Sequence, residues 1–170
     1  MSHQLFRGSL HALRTFALRL EFPTALGAAK CYTKESGEAV SLVDATYERY
    51  RDMSGTSKRF AHLCNFSDVQ GFYLPCDFEP VLSIKDPTLE GSMFPDLEFR
   101  PVGSSMRLKR ELDDLNETLK LRGRWPIPAF NYGNPETDDE DLRDVHIGWL
   151  LMEGFARASV QEDLPICFDG

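Results

Sequence analysis

The sequence predicts an α+β fold, with about four helices packed on a small mixed or antiparallel β-sheet in a single domain, 1–170. Three observations predict it. A chain of 170 residues has the usual length of one domain. Residues 57–102 contain short aromatic and β-branched runs separated by Gly and Pro, which is typical of strands. The flanking parts, 1–56 and 103–170, carry apolar residues at helical spacing. Because the strand signals follow one another directly, a regular βαβ repeat is not expected.

Two helices are predicted before the strands. The first covers most of the first 20 residues, and its Arg7, His11 and Arg14 should share a solvated face. A mitochondrial transit peptide has a similar basic amphipathic pattern, but the regular apolar stripe favours a core helix. The second covers about 38–53. The apolar stripes of the two helices are Phe6, Leu10, Leu13, Ala17 and Leu20, and then Val40, Val43, Tyr47 and Tyr50.

The remaining elements follow from Gly, Pro and apolar spacing. We expect strands near 60–66, 71–75, 80–84 and 97–102, and a short closing strand at 164–168, where Pro165 favours a sheet edge. A helix at about 104–121 begins at Ser104, a good capping residue. Another helix at about 140–161 is apolar nearly all round, which predicts burial on most sides and against the sheet, with Trp149 in the core. Residues 122–137 form a long irregular loop between these helices.

The charge of the chain limits its function. It has 19 Lys and Arg against 27 Asp and Glu, a net of −8. Residues 1–60 carry +3 and residues 61–170 carry −11. Nucleic acid is therefore not expected as a partner, because phosphates are bound by clustered cations. We interpret the chain as an acidic cytosolic protein-binding module, for example an inhibitor or immunity-type partner of a basic toxin or enzyme. Solubility alone is the simpler explanation of the charge.

Four acids at the start of the last predicted helix are the expected partner contacts. They lie in the acidic run 136–144, where the helix dipole also favours negative charge. These residues are Glu136, Asp138, Asp139 and Asp141.

The alternative function is a small enzyme or an anionic-ligand-binding domain. On the same helix, Arg143, His146, Glu153 and Arg157 fall within an arc of about 80° at 100° per residue. In a pocket, His146 could act as an acid or base, with Glu153 beside it and the arginines holding an anion. The simpler explanation is a thin solvent-exposed strip with a Glu153–Arg157 ion pair.

Metal and redox sites are weakly indicated. His62, Cys64 and Cys76 offer three zinc ligands, but a fourth ligand and a C-x-x-C turn are missing. Cys76 with His62 or His146 could form a nucleophile–base pair, although a free cysteine is usually a small core residue. We expect no metal, no cofactor and no disulfide, and low cysteine usage fits a reducing cytoplasm. No 18-residue apolar run predicts a membrane span.

No known catalytic motif supports an enzyme. The sequence contains no P-loop, no G-x-G-x-x-G fingerprint, no G-x-S-x-G elbow and no H-E-x-x-H. Asp77 and Glu79 would share one face of a strand and could act as an acid–base pair, but exposed charges that protect a sheet edge are the simpler explanation. The sequence therefore favours a binding protein over an enzyme.

Overall fold

The computed structural model describes residues 3–22, 55–64, 71–85, 87, 99–119 and 140–168. In these ranges the chain forms four helices and one four-stranded mixed sheet, so the α+β prediction is confirmed. The predicted helix 38–53 and the predicted loop 122–137 lie outside the described residues. In chain order the elements are α1 (His3–Glu21), α2 (Ala61–Cys64), β1 (Gly71–Leu74), β2 (Leu82–Lys85), β3 (Phe99–Ser104), α3 (Ser105–Leu119), α4 (Glu140–Glu162) and β4 (Ile166–Phe168).

The sheet has the strand order β2–β3–β1–β4. β1 and β3 pair in parallel, with Phe72 opposite Val102. β4 returns antiparallel to β1, and β2 is antiparallel to β3. Both edge strands are short, and β4 follows Pro165 directly, as the sequence predicts for an edge position.

The core lies between the helices and one face of the sheet. α4 packs mainly against α1 and α3 and meets the sheet chiefly at β4, so the prediction that this helix packs mainly on the sheet is wrong. The indole N–H of Trp149 donates a hydrogen bond to the Leu112 carbonyl on α3 at 2.7 Å.

The predicted stripe of α1 is confirmed at Leu10, Leu13 and Ala17, which are buried. The spacing of apolar residues in the sequence therefore predicts the buried face of α1 correctly.

Two expectations for the helices are wrong. Arg14, predicted to be solvated, is only 3% exposed, because its Nε–H donates to the Leu63 carbonyl at 2.8 Å. α4, predicted to be buried on most sides, exposes Phe155 and Val160 along its last turns. It ends there in a C-terminal cap: Asp163 adopts a φ of 54°, and the Leu164 N–H bonds to the Ser159 carbonyl at 3.1 Å.

The predicted strand at 60–66 is also wrong. Its described residues include the one-turn helix α2, and Phe60 and Leu63 are both buried at helical spacing. Short apolar runs do not distinguish a strand from a buried helical turn. The other predicted strands occur, displaced by no more than about two residues at either end. No helix in the described ranges is both long and apolar enough to cross a membrane.

Gly148 marks a close approach of α1 and α4. A Cβ built on Gly148 would clash with the Ser9 carbonyl oxygen and would lie 2.9 Å from the Ser9 carbonyl carbon. The obstacle is backbone, which cannot move aside as a side chain can. We therefore expect Gly148→Ala to lower the free energy of unfolding by about 1–3 kcal/mol, as overpacking does. Urea unfolding followed by far-UV circular dichroism measures it.

Gly154→Ala is the matched control, because it is on the same helix and nothing lies within 4 Å of its added Cβ. This change should leave stability unchanged or raise it by up to about 1 kcal/mol, since Ala is the better helix former. Equal effects of the two substitutions would contradict the close approach.

Trp149 is the aromatic anchor between α3 and α4, at 8% exposure. Trp149→Ala should cost about 3–5 kcal/mol, as truncation of large core aromatics does. Trp149→Phe keeps most of the ring but loses the hydrogen bond to Leu112 and should cost less. Chemical denaturation of both variants measures the difference. A cost below about 1 kcal/mol for the alanine variant would show that the ring is not part of the core.

Candidate functional site

The most elaborate polar arrangement surrounds residues 57–64, which we call the docked segment. At its start, the Glu21 carboxylate at the end of α1 accepts three hydrogen bonds, from the Ser57 hydroxyl at 2.6 Å, the Lys58 N–H at 2.9 Å and the Arg59 N–H at 3.1 Å. Burial opposes the charge of Glu21, but these donors outweigh it and lower the pKa of Glu21 below its usual value. The carboxylate thus caps backbone groups that have no strand or helix partner.

At the other end, Glu111 of α3 caps α2. Its two oxygens accept the N–H groups of His62 at 3.0 Å and Leu63 at 2.8 Å. Burial raises the pKa of Glu111 to about 8, although these two donors favour the ionised form. On the opposite side the Tyr73 hydroxyl of β1 donates to the His62 carbonyl at 2.6 Å. Side chains from α3 and β1 therefore hold this one short helical turn.

The ring of His62 is fixed at both nitrogens. Its Nδ1 accepts the Ser104 N–H at 2.9 Å, so the ring proton lies on Nε2 and donates to the Glu79 carbonyl at 2.8 Å. The ring packs edge-on against Phe78. Burial lowers the pKa of His62, because the charged ring would lose its contact with water. His62 is thus a neutral structural residue joining the docked segment to β3.

A polar cleft of about 220 Å³ opens between the docked segment and α3. Its three arginines are paired: Arg59 forks onto Asp114 at 2.7 and 3.0 Å, Arg110 reaches Asp77 at 2.9 Å, and Arg107 bonds to Asp77 and Glu79. The cleft is therefore close to neutral in charge. It is lined by Lys58, Arg59, Ala61, His62, Glu79, Arg107, Arg110, Glu111 and Asp114.

The negative charge of the described residues lies elsewhere, on α4 and the turn that follows it. Described residues up to 119 contain ten Lys and Arg against seven Asp and Glu, a net of +3. Residues 140–168 contain two arginines and six acids, a net of −4. The C-terminal part therefore carries the charge excess, as the sequence predicts for the region as a whole.

The structure describes only one of the four predicted acidic contacts, Asp141, and only its backbone. Glu136, Asp138 and Asp139 lie outside the described residues, and Asp141 is in the first turn of α4, where its side chain is not described. Asp144, one turn further, is half-buried. At the other end of α4, Glu162 and Asp163 are exposed.

The polar stripe of α4 does not reach the cleft. The Glu153–Arg157 ion pair exists: Arg157 Nη2 lies 3.8 Å from Glu153 Oε2, and the Arg157 side chain is exposed. His146 is half-buried, and the side chain of Arg143 is not described. His146, Glu153 and Arg157 do not line the described cleft, so the structure does not bring these three residues together with the cations there.

The zinc candidates are not assembled into a site. Both ring nitrogens of His62 are already bonded, and Cys64 is buried, which raises the pKa of its thiol. Cys76 is exposed beyond the end of β1. Within the described ranges, no three His, Cys, Asp or Glu side chains are grouped as metal ligands.

The fold and the charge distribution define an acidic α+β protein. A family model described as putative DNA-mimic protein matches residues 4–168 of the chain. The chain belongs to this family. No curated protein and no solved structure shows significant similarity to it.

Family membership corrects two predictions. The predicted function is corrected: the family fits an acidic protein-binding module only in that general part, and a putative DNA mimic takes the place of an inhibitor or immunity-type partner of a basic toxin or enzyme. The alternative, an enzyme or anionic-ligand domain built on His146, Glu153 and Arg157, is wrong. The partner prediction, an unspecified basic protein, is corrected by the same finding, since a DNA mimic is defined by partners that bind DNA. The sequence analysis used the acidic charge to exclude DNA as a partner and to infer a basic protein partner, but it did not consider that the chain resembles DNA itself.

Glu21 offers a test of the docked segment. Because folding lowers the pKa of Glu21, the ionised carboxylate stabilises the folded chain at any pH above its ordinary pKa of 4.5. This contribution is lost as the pH falls through the lower pKa of the folded state. Glu21→Gln should therefore destabilise by about 1 kcal/mol near neutral pH. The difference from the parent chain should shrink at acid pH. Unfolding free energies from pH 3 to 7 measure it, with exposed Glu162→Gln as the control; a difference that grows on acidification would contradict this role.

Proposed function

We propose that this protein is a DNA mimic that binds the DNA-binding surface of a DNA-binding protein and competes there with duplex DNA. The observation that carries the proposal is the family match over residues 4–168. The charge supports it, because a surface rich in carboxylates presents the same sign as the phosphate backbone. Arg and Lys side chains that bind phosphate form charge-assisted hydrogen bonds with carboxylates in similar geometry.

The amount of charge indicates how much DNA the chain could replace. Residues 61–170 carry a net charge of −11. Duplex DNA carries one charge per roughly 1.7 Å of its axis, so this charge equals that of roughly 19 Å of duplex. That is about half of the roughly 34–36 Å helical turn that separates two half-sites. The chain therefore suits a contact of the size of one half-site.

The described residues favour α4 as the contact region. Residues 140–168 carry −4, whereas described residues up to 119 carry +3 and hold most of their acids in ion pairs with arginine or lysine. An acid already paired with a neighbouring cation presents little charge to a partner. We therefore propose that the partner contacts are Glu136, Asp138, Asp139 and Asp141, at and before the first turn of α4.

We also propose a cytoplasmic location, where DNA-binding partners would be accessible. Three described cysteines, Cys64, Cys76 and Cys167, are free thiols, which suits a reducing compartment.

Competition with DNA is the direct test. The immobilised chain is used to capture proteins from a lysate of the native host, and the captured proteins are then challenged with duplex DNA. We expect duplex to displace them, and the free chain to release labelled duplex from them in a mobility-shift assay. Binding should weaken steeply with salt, because paired charges are screened over about 8 Å at physiological ionic strength. A captured protein that binds the chain and duplex simultaneously would contradict DNA mimicry.

Charge neutralisation locates the contact. The combination of Glu136→Gln, Asp138→Asn, Asp139→Asn and Asp141→Asn should slow association with the captured partner and flatten its salt dependence. The control combines Asp144→Asn, Glu153→Gln, Glu162→Gln and Asp163→Asn, which removes the same number of charges further along α4. Surface plasmon resonance at several salt concentrations measures both. Equal effects would show that net charge, rather than the start of α4, governs binding.

A further inference from the structure

We propose that β2 pairs edge to edge with β2 of a second copy of this chain, which gives a two-fold dimer with one continuous sheet. β2 is an edge strand: it pairs with β3, and no other strand in the described ranges pairs with it. All four of its residues are exposed. This dimer is independent of DNA mimicry, because it uses the sheet and not the acidic start of α4.

The free edge of β2 carries little of the protection that natural sheet edges have. Such edges are usually blocked by proline, charged side chains, a bulge or a covering segment. Within β2 only the last residue, Lys85, is charged, whereas Leu82 and Ile84 are apolar and 43% and 54% exposed. The opposite edge strand, β4, has three residues and directly follows Pro165. Of the two edges of the described sheet, β2 is therefore better suited to pairing.

Pro101 of β3 determines which backbone groups of β2 point to the free edge. In an antiparallel pair, facing residues alternately exchange both N–H···O bonds or neither of them. Ser83 lies opposite Pro101, which has no N–H to donate. This pair therefore cannot be a hydrogen-bonded one, so the N–H and C=O of Ser83 point away from β3. They lie where the backbone of a second strand could bind them.

Two prolines limit the register of the pairing. Pro80 and Pro87 flank β2, and neither can donate a backbone hydrogen bond. If Ser83 lies opposite Ser83 of the second copy, the ladder uses 81–85 of both strands and contains no proline. A shift of two residues in either direction would bring one of these prolines into the ladder. A shift of one residue would turn the buried face of one sheet to the solvent side of the other. The Ser83 register is therefore the favoured one.

The side chains are complementary in this register. Leu82 of each copy lies opposite Ile84 of the other, at positions without backbone hydrogen bonds, where facing side chains are closest. Lys85 at the end of one strand lies near the start of the other strand. Just before that start, the side chain of Glu79 is 83% exposed. Parallel pairing would instead bring the two Lys85 side chains together. Apolar and charge complementarity thus both favour an antiparallel second copy.

The size of the contact indicates its strength. A strand of four residues is about 13 Å long, whereas a standard protein interface has roughly 20–30 residues on each side. We therefore expect a reversible dimer that forms in the micromolar range, not a permanent one.

Sedimentation equilibrium over a concentration series tests the dimer. The parent chain should show a reversible monomer–dimer equilibrium. Ile84→Lys should be monomeric throughout, because it replaces an apolar contact with a charge at an exposed position; circular dichroism checks that the variant is folded. Leu164→Lys is the matched control, since Leu164 is 59% exposed and lies outside the sheet, and it should dimerise like the parent.

Two outcomes of this measurement would overturn the proposal. One is a dimer that persists in folded Ile84→Lys. The other is a parent chain that stays monomeric throughout the series, which would leave the edge of β2 to a strand of a different protein.

Disulfide cross-linking tests the register. Ser83→Cys is made in a chain whose Cys31, Cys76 and Cys167 are changed to serine. Facing residues of a hydrogen-bonded pair have Cα atoms about 5.5 Å apart, within the range of a disulfide, so oxidation should give a covalent dimer. Lys85→Cys in the same background is the control, because its counterpart in the second copy would be roughly 13 Å away or more. It should remain largely uncross-linked. Equal cross-linking of the two variants would overturn the pairing.

Discussion

The fold depends on how the backbone of residues 57–64 is satisfied. This stretch is too short to satisfy its own N–H and C=O groups, and it lies against the core, where an unpaired group would cost about 1–3 kcal/mol. Groups from four other elements supply the partners. They are the side chains of Glu21 and Arg14 from α1, Glu111 from α3 and Tyr73 from β1, and the Ser104 N–H of β3, which bonds to the ring of His62. Helices and sheet are therefore joined by polar bonds as well as by apolar packing.

This arrangement also explains the distribution of charge. The acids near the docked segment are committed to structure, as caps or as partners of arginines. An acid that is already bonded to an arginine or to backbone N–H groups presents little charge to a partner. The described bonds around residues 57–64 do not include the acids of α4. One acidic chain thus uses carboxylates in two ways, inside as hydrogen-bond acceptors and outside as the carriers of its net charge.

The sequence predicted what depends on local spacing. Leu108, Leu112 and Leu115 recur at helical intervals and are buried, and Ser104 accepts the Arg107 N–H as a helix cap. It failed where a long-range partner decides the outcome. Arg14 looks like a surface residue because its partner, the Leu63 carbonyl, is 49 residues away. Glu111 looks like one more acid on an exposed helix face, and only the fold shows that it caps α2. The predicted function was wrong for another reason. Net charge indicates that the chain repels DNA and attracts cations, but it does not identify which negatively charged molecule the chain resembles.

The pairing of β4 has a consequence for biosynthesis. Phe168 stacks on Phe6 with ring centroids 5.8 Å apart, and β4 covers one edge of β1. Residues near the two ends of the described chain thus complete the same aromatic cluster. A growing polypeptide leaves the ribosome from its N-terminus, so α1 and β1 emerge long before β4 exists. Until residue 168 has emerged, the edge of β1 lacks β4 and the ring of Phe6 lacks its stacking partner Phe168. The nascent chain then exposes apolar surface of the kind that chaperones bind.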